Sequence, residues 1–196
     1  MHKCATISCD KLTIKDFEKV EGSLIKLQKQ KDAVMDTSRN IIRMTGKAIT
    51  LMHAGDLGTA GKMIADISKH VKKLNEIEKG FEYNSLQAHQ EYVEAYAFFH
   101  ILKNKDIISL DSIKESEIAY LLGIMDLVGE LKREAVESLR KNDRNSAELY
   151  YKFMIEIYDS SRHMRFAESI APDFRKKQDV ARIQIETTAS ELLRNR

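Results

Sequence analysis

Apolar residues recur every three or four positions along almost the whole chain, the period of helices with one buried face. Phe17, Val20, Leu24 and Leu27 open the series, and Val34, Ile41, Ile42 and Ile49 continue it towards Gly55. With Thr13 as N-cap, Asp16 at the capping-box position and Gly55 as the stop, the pattern predicts one helix of about 40 residues, about 60 Å long. That exceeds the diameter of a small domain, so this helix must lie along partner helices or neighbouring subunits, unless it kinks near Gly22 or at its polar middle. Asp56 then caps a second helix carrying Met63, Ile64, Ile67, Val71 and Leu74, which closes near Gly80. A third is expected over 84–102, a connector over 104–112 in which Ser109 or Asp111 caps a short turn, and a fourth, the most apolar, over 115–140. Asp143 caps a fifth that runs to Met164, and Pro172 fits the first turn of a sixth that ends near Leu193. The expected fold class is all-α: a six- to seven-helix antiparallel bundle with a long first helix. Residues 1–12 carry no period and form a lead-in; 13–196 form a single helical domain.

Composition agrees with that pattern. One proline, eight glycines and no tryptophan among 196 residues leave few helix breakers, and Leu, Ile, Ala, Lys and Glu are abundant. The net charge of +2 neither requires nor excludes nucleic acid, so a binder would have to gather its basic residues on one surface. Cys4 and Cys9 stand alone, which is neither a zinc-ligand set nor a disulfide framework. No apolar run approaches the ~20 residues of a membrane span, and no charged-then-apolar leader opens the chain. A cytoplasmic protein without membrane contact is expected.

Two carboxylate pairs interrupt the apolar pattern: Glu91 and Glu94 in QEYVEAYAFF, and Asp126 and Glu130 in YLLGIMDLVGEL. Spacings of three and four set each pair on one helical face. Asp126 directly follows a stretch, 118–125, that is apolar but for one tyrosine hydroxyl. Burying an unpaired carboxylate costs roughly several kcal/mol, and acids brought together raise one another's pKa unless something positive sits between them. Two kinds of cation fit: Lys132, Arg133, Lys103 or Lys105 as salt-bridge partners, or a hard divalent metal. All-oxygen ligands suit Mg²⁺ or Mn²⁺, ions that serve in-line phosphoryl displacement. The metal alternative therefore points to phosphodiester rather than peptide hydrolysis. A di-iron carboxylate site needs Glu-x-x-His motifs, and none occurs. No Ser/His/Asp arrangement, nucleophilic cysteine context or phosphate-cradling glycine loop competes. His53, His70, His89, His100 and His163 are scattered; His89 and His100 flank the first acid pair and read as polar edge residues. Gly123 and Gly129 bracket Asp126 at three residues on either side. Each interior glycine costs about 1 kcal/mol relative to alanine, which calls for close packing of a neighbouring helix or clearance for a ligand.

At these residues the chain resembles the translin family, specifically its catalytic branch, the translin-associated factor X proteins. The matching segments are QEYVEA at 90–95 and YLLGIMDLVGELKREAV at 120–136, with weaker matches in SRNI at 38–41 and ISLDSI at 108–113. With the order and lengths of the helices, the resemblance covers about residues 15–195. It implies an all-α fold assembled into a closed, barrel-like homo-oligomer, an octamer, that binds single-stranded or imperfectly paired RNA, or single-stranded DNA. It also implies a Mg²⁺-dependent endoribonuclease activity inside the barrel, with Mn²⁺ as the alternative ion. Glu91 and Glu94 match the glutamates of the family's E-Y-V-E-A motif, and Asp126 and Glu130 match the acids of its D-L-x-G-E-L segment. The resemblance thus makes all four catalytic metal ligands. The non-catalytic translin branch lacks most of them. Val128 and Lys132 depart from the second motif, and the short N-terminus lacks the basic targeting stretch of eukaryotic members. Because those members work beside translin subunits, a translin-like partner is the alternative to a homo-oligomer.

For RNA, Arg39, Arg43 and Lys47 make a basic stripe at i, i+4 and i+8 of the first helix, and Arg133 lies three residues beyond Glu130. Each is a candidate phosphate contact or a solvated charge. Tyr92 and Tyr96 are candidates for base stacking or for packing. Three functions remain on this reading: a metal-dependent endoribonuclease, a non-catalytic shell that binds RNA or DNA, and a helical scaffold that binds neither.

Overall fold

A computed structural model describes residues 14–194 as seven helices. Thr13, Cys4, Cys9 and the lead-in at 1–12 lie outside the described residues. α1 (Ile14–His53) runs 40 residues without interruption at Gly22, and α2 (Leu57–Ile77) folds back along it. The reversal uses Gly55 at φ 80°, a conformation that glycine adopts without a Cβ penalty, and Asp56, whose carboxylate accepts from the Thr59 amide at 2.9 Å. The far end of this hairpin is closed by Gln30 of α1. Its side-chain amide donates to the carbonyls of Ile77 at 2.7 Å and Lys79 at 3.1 Å, two groups that the end of α2 leaves without helical partners. Gln30→Ala is expected to cost about 1–2 kcal/mol, read as a lower urea midpoint at unchanged m-value.

On the N-terminal side of Gln30, α1 continues past the end of α2. The apolar stripe of α1 is accordingly split. From Val34 onwards it is buried, whereas Ile14, Phe17 (62% exposed), Val20, Leu24 and Leu27 face solvent. The predicted 40-residue helix is present, and among the described residues its buried apolar positions all fall from Val34 onwards.

The remaining helices complete the bundle: α3 (Glu82–Asn104), the single turn α4 (Leu110–Ile113), α5 (Glu117–Arg140), α6 (Arg144–Ser161) and α7 (Phe174–Arg194). The starts of α4, α5 and α6 follow from capping side chains: Ser109 accepts from the Ser112 amide, Ser116 from Ala119 and Asp143 from Ser146. Pro172 sits two residues before α7 rather than in its first turn. The chain first passes through Asp173 at φ 56°, whose amide donates to Glu168 at 2.7 Å.

α3 and α5 are the central pair. α3 lies against α1, α2 and α5, and α5 against α3, α6 and α7. Small residues permit this: Ala88, Ala95 and Ala97 of α3 are fully buried. Gly123 of α5 sets the separation. A Cβ there would lie 2.5 Å from the Gln90 carbonyl oxygen and 2.7 Å from Val93 Cβ. Of the two explanations for the bracketing glycines, close packing is therefore the one that holds for Gly123. Gly129 is looser, its Cβ position 3.3 Å from the end of the Gln184 side chain. Among the described residues no helix is long and apolar enough to cross a membrane.

Candidate metal and nucleic-acid site

The tight α3–α5 seam brings the acidic pairs together. Gln90, one residue before Glu91, donates to one oxygen of Asp126, and Lys177 of α7 pairs with the other at 2.5 Å. Burial, and after it the charges of Asp126, Glu91 and Glu130, push the Glu94 carboxyl up to about 9, with Lys177 pulling the other way. Glu91 is raised as well, by burial and then by Asp126, against Lys177 and a hydrogen bond with Gln87. The four acids chosen from the sequence thus form one electrostatic cluster. Neutral at pH 7, Glu94 receives no hydrogen bond or ion pair from the other described residues.

The cluster is differently engaged at its two ends. Glu130 accepts from His53, the last residue of α1, whose other ring nitrogen donates to Glu134 at 2.5 Å. A ring that donates from both nitrogens is an imidazolium. Burial opposes that charge, but the hydrogen bonds with Glu130 and Glu134 outweigh it and hold His53 above its ordinary pKa. With Asp126 turned to Lys177 and Glu130 to His53, no three of the described His, Cys, Asp and Glu side chains close around one ion.

The counter-cation was expected on helices three or four, and the structure corrects this. Lys132 donates to Thr187 at 3.0 Å, while Lys103 and Lys105 lie over the rings of Phe99 and Tyr150 at 5.9 and 5.3 Å. Asp126 is instead served from α7, which packs across α5. Two other expectations change. His89 is no edge residue: it is buried between Glu115 at 2.7 Å and Glu78 at 2.8 Å, tying α3 to the end of α2 and the start of α5. Tyr92 is buried edge-on against Tyr96, with ring centroids 5.7 Å apart, so it packs and offers no stacking face.

The basic candidates separate into two places. Arg133 is exposed beside Glu130 and lines a cavity of about 490 Å³ with His53, Lys132 and Arg140. Arg39, Arg43 and Lys47 are exposed along α1, where Arg39 pairs with Asp36 at 3.4 Å and Arg43 donates to Asn40 at 2.7 Å. None of the three lines the cavities that flank Asp126 or Arg133.

Sequence reasoning missed Lys177, Gln90 and His53. Lys177 is one of three successive basic residues at 175–177, and no periodicity distinguishes the one that faces α5. Gln90 precedes an acid that had been singled out, yet an amide beside a glutamate is no signal by itself. His53 stood at the predicted end of the first helix, but its partner is 77 residues away.

The profile of the Translin family matches residues 26–188. An uncharacterized protein of Methanocaldococcus jannaschii is 30% identical over 169 residues, covering 83% of this chain and 75% of that protein. Translin-associated protein X of Pongo abelii is 29% identical over 36% of this chain and 35% of its own length, so the match spans about a third of that relative. Among solved structures, an AfC3PO–duplex RNA complex aligns with a TM-score of 0.82 at 29% identity, covering 91% of this chain and 95% of that one. Apo-NeC3PO aligns with a TM-score of 0.86, covering 95% and 100%, and at 23% identity it speaks to the fold alone.

Proposed function

The chain belongs to the translin family, and from that premise we propose that it is a metal-dependent endoribonuclease acting on single-stranded or imperfectly paired RNA within a shell built from copies of itself. The observation that carries this reading is Glu94: a half-buried carboxyl with three other carboxylates bearing on it and one lysine opposing them. Acids gathered so closely that one of them holds its proton are a poor structural solution and a good cation site. The AfC3PO relative, solved with duplex RNA, supports RNA as the ligand. The solvent-facing stripe from Ile14 to Leu27 supports assembly, because an apolar helix face of that length is costly to leave in water.

The donor set fits Mg²⁺ or Mn²⁺ in chemistry, since all four side chains offer carboxylate oxygens. Glu91, Glu94, Asp126 and Glu130 would hold the ion, which would supply Lewis-acid activation of water and charge neutralisation at the scissile phosphate. The protein's own groups do the rest. Glu94 must give up its proton, which the like charges around it disfavour until a cation arrives. Asp126 must exchange Lys177 for the new ligand. His53 pairs with Glu130 and anchors α1 to α5, so Glu130 must exchange that ring for the ion. Arg133 lies where a phosphate beside Glu130 would meet it, whereas Arg39, Arg43 and Lys47 would contact RNA further along α1.

The test is incubation of a single-stranded RNA with the assembled protein and Mg²⁺ or Mn²⁺, followed by analysis of the product ends. Cleavage abolished by EDTA, leaving 5′-phosphates and 3′-hydroxyls, is expected. A non-catalytic RNA-binding shell is the second reading, favoured by the Lys177–Asp126 pair, which already gives the acids a cation. It predicts retained RNA with no EDTA-sensitive product.

A further inference from the structure

Lys177 is, among the described residues, the one Lys or Arg in ion-pair contact with the four acids, and its place in the fold gives it a second face. The side chain is 19% exposed, half-sunk between α7 and the seam, while Arg175 and Lys176 beside it are open to water. Two grooves meet at it. One, of about 500 Å³, runs past Asn84, Gln87 and Gln90 of α3; the other, of about 280 Å³, runs past Asp126, Lys176 and Gln184. Both are bordered by Asp173 and Lys177, so Lys177 forms the saddle between them, directly over Asp126. The linings suit a polynucleotide strand: side-chain amides for sugar hydroxyls and base edges, and lysines for phosphates. An ammonium on a four-carbon stem is a mobile point charge that can change partners without moving the helix that carries it.

Resting on the nuclease reading above, we propose that Lys177 is the positioning residue of this site, an internal counter-cation that competes with the divalent ion for Asp126 and, once displaced, holds the phosphate of a strand lying across the two grooves. The lysine keeps the like-charged acids together before loading. It also limits how tightly the ion binds, and it couples loading of the ion to capture of the substrate. Its removal therefore has opposite effects on the two ligands.

The experiment is a Mn²⁺ titration of the assembled, RNA-free protein, following free Mn²⁺ by electron paramagnetic resonance. Wild type is compared with Lys177→Met, Lys177→Arg and Glu94→Gln. Lys177→Met is expected to bind Mn²⁺ roughly tenfold tighter, because a neighbouring positive charge has gone, and Lys177→Arg to stay near wild type. In cleavage assays at saturating Mn²⁺, Lys177→Met is expected to raise KM for RNA more than it lowers kcat, and to reduce the salt slope of RNA affinity by about one. Lys177→Gln, which can still donate a hydrogen bond to Asp126, carries the test if the methionine variant does not fold. Mn²⁺ affinity lost in Glu94→Gln but unchanged in both neutral Lys177 variants would overturn the role of Lys177 and leave the nuclease intact. No Mn²⁺ binding by wild type or any variant would overturn both.

Discussion

Glu94→Gln is expected to abolish metal-dependent RNA cleavage while raising the thermal stability of the ion-free protein. The two effects share one cause. In the folded chain Glu94 holds its proton up to about 9, against an ordinary 4.5 when the chain is unfolded, because burial and then Asp126, Glu91 and Glu130 oppose its charge. Below the ordinary value both states are protonated and the group costs nothing. As pH rises from there towards 9 the unfolded chain ionises and the folded one does not, so stability falls throughout that window. A glutamine matches the protonated form in shape and does not titrate. It should raise Tm in EDTA by about 2–6 °C at pH 8, with little change at pH 4.5, and flatten the decline of Tm between them. The same substitution removes a ligand oxygen that the ion requires, so cleavage should fall by about 10³-fold or more while RNA affinity in EDTA stays within a factor of two. Melting curves across pH, set beside cleavage rates, check both halves. A destabilised Glu94→Gln protein would mean that the carboxyl is ionised and paired in the native state.

Gly123→Ala is expected to destabilise the fold by about 1–3 kcal/mol, although alanine is the better helix former by about 1 kcal/mol. The added methyl meets the Gln90 carbonyl oxygen at 2.5 Å and Val93 Cβ at 2.7 Å. Neither is the loose end of a side chain, so α3 and α5 must move apart. Gln90 and Glu91 are adjacent, which means that the displacement also separates the first acid pair from Asp126. A drop in cleavage larger than the stability loss explains is therefore expected. Gly129→Ala is the control: its methyl meets only the tip of Gln184 at 3.3 Å, and stability should be unchanged or slightly higher. Urea titrations of the two variants at equal m-values measure the contrast, and equal stabilities would show that the seam is not set at Gly123.

Helix order and most boundaries were legible because they are local. Asp56, Ser109 and Asp143 each cap the helix that follows them, and Gly55 turns the chain where the apolar period stops. The acids were legible as pairs because three and four residues along a helix are one face. That the pairs meet depends on α3 lying against α5, and the one local trace of that contact was Gly123, whose cost in helix propensity demanded a neighbour. Lys177 was illegible because its partner is 51 residues away and its two basic neighbours look the same in sequence. The first helix was legible in length but not in which part of it this chain buries. A continuous apolar stripe reads alike whether the chain buries it, as from Val34 onwards, or leaves it exposed, as for Ile14 to Leu27. His89 misled because a histidine between two acids on other elements carries no sequence mark of burial.

On the proposed function, the four acids hold a divalent ion for RNA cleavage. The most direct test is the cutting of an end-labelled single-stranded RNA by wild type and Glu94→Gln, each with Mg²⁺, Mn²⁺ or EDTA. Cutting by wild type that needs the ion, and is lost in a variant that still folds and still binds the RNA, is the predicted result. Intact RNA bound equally by both proteins in every condition would contradict it, and would leave the cluster as a structural feature of an RNA-binding shell.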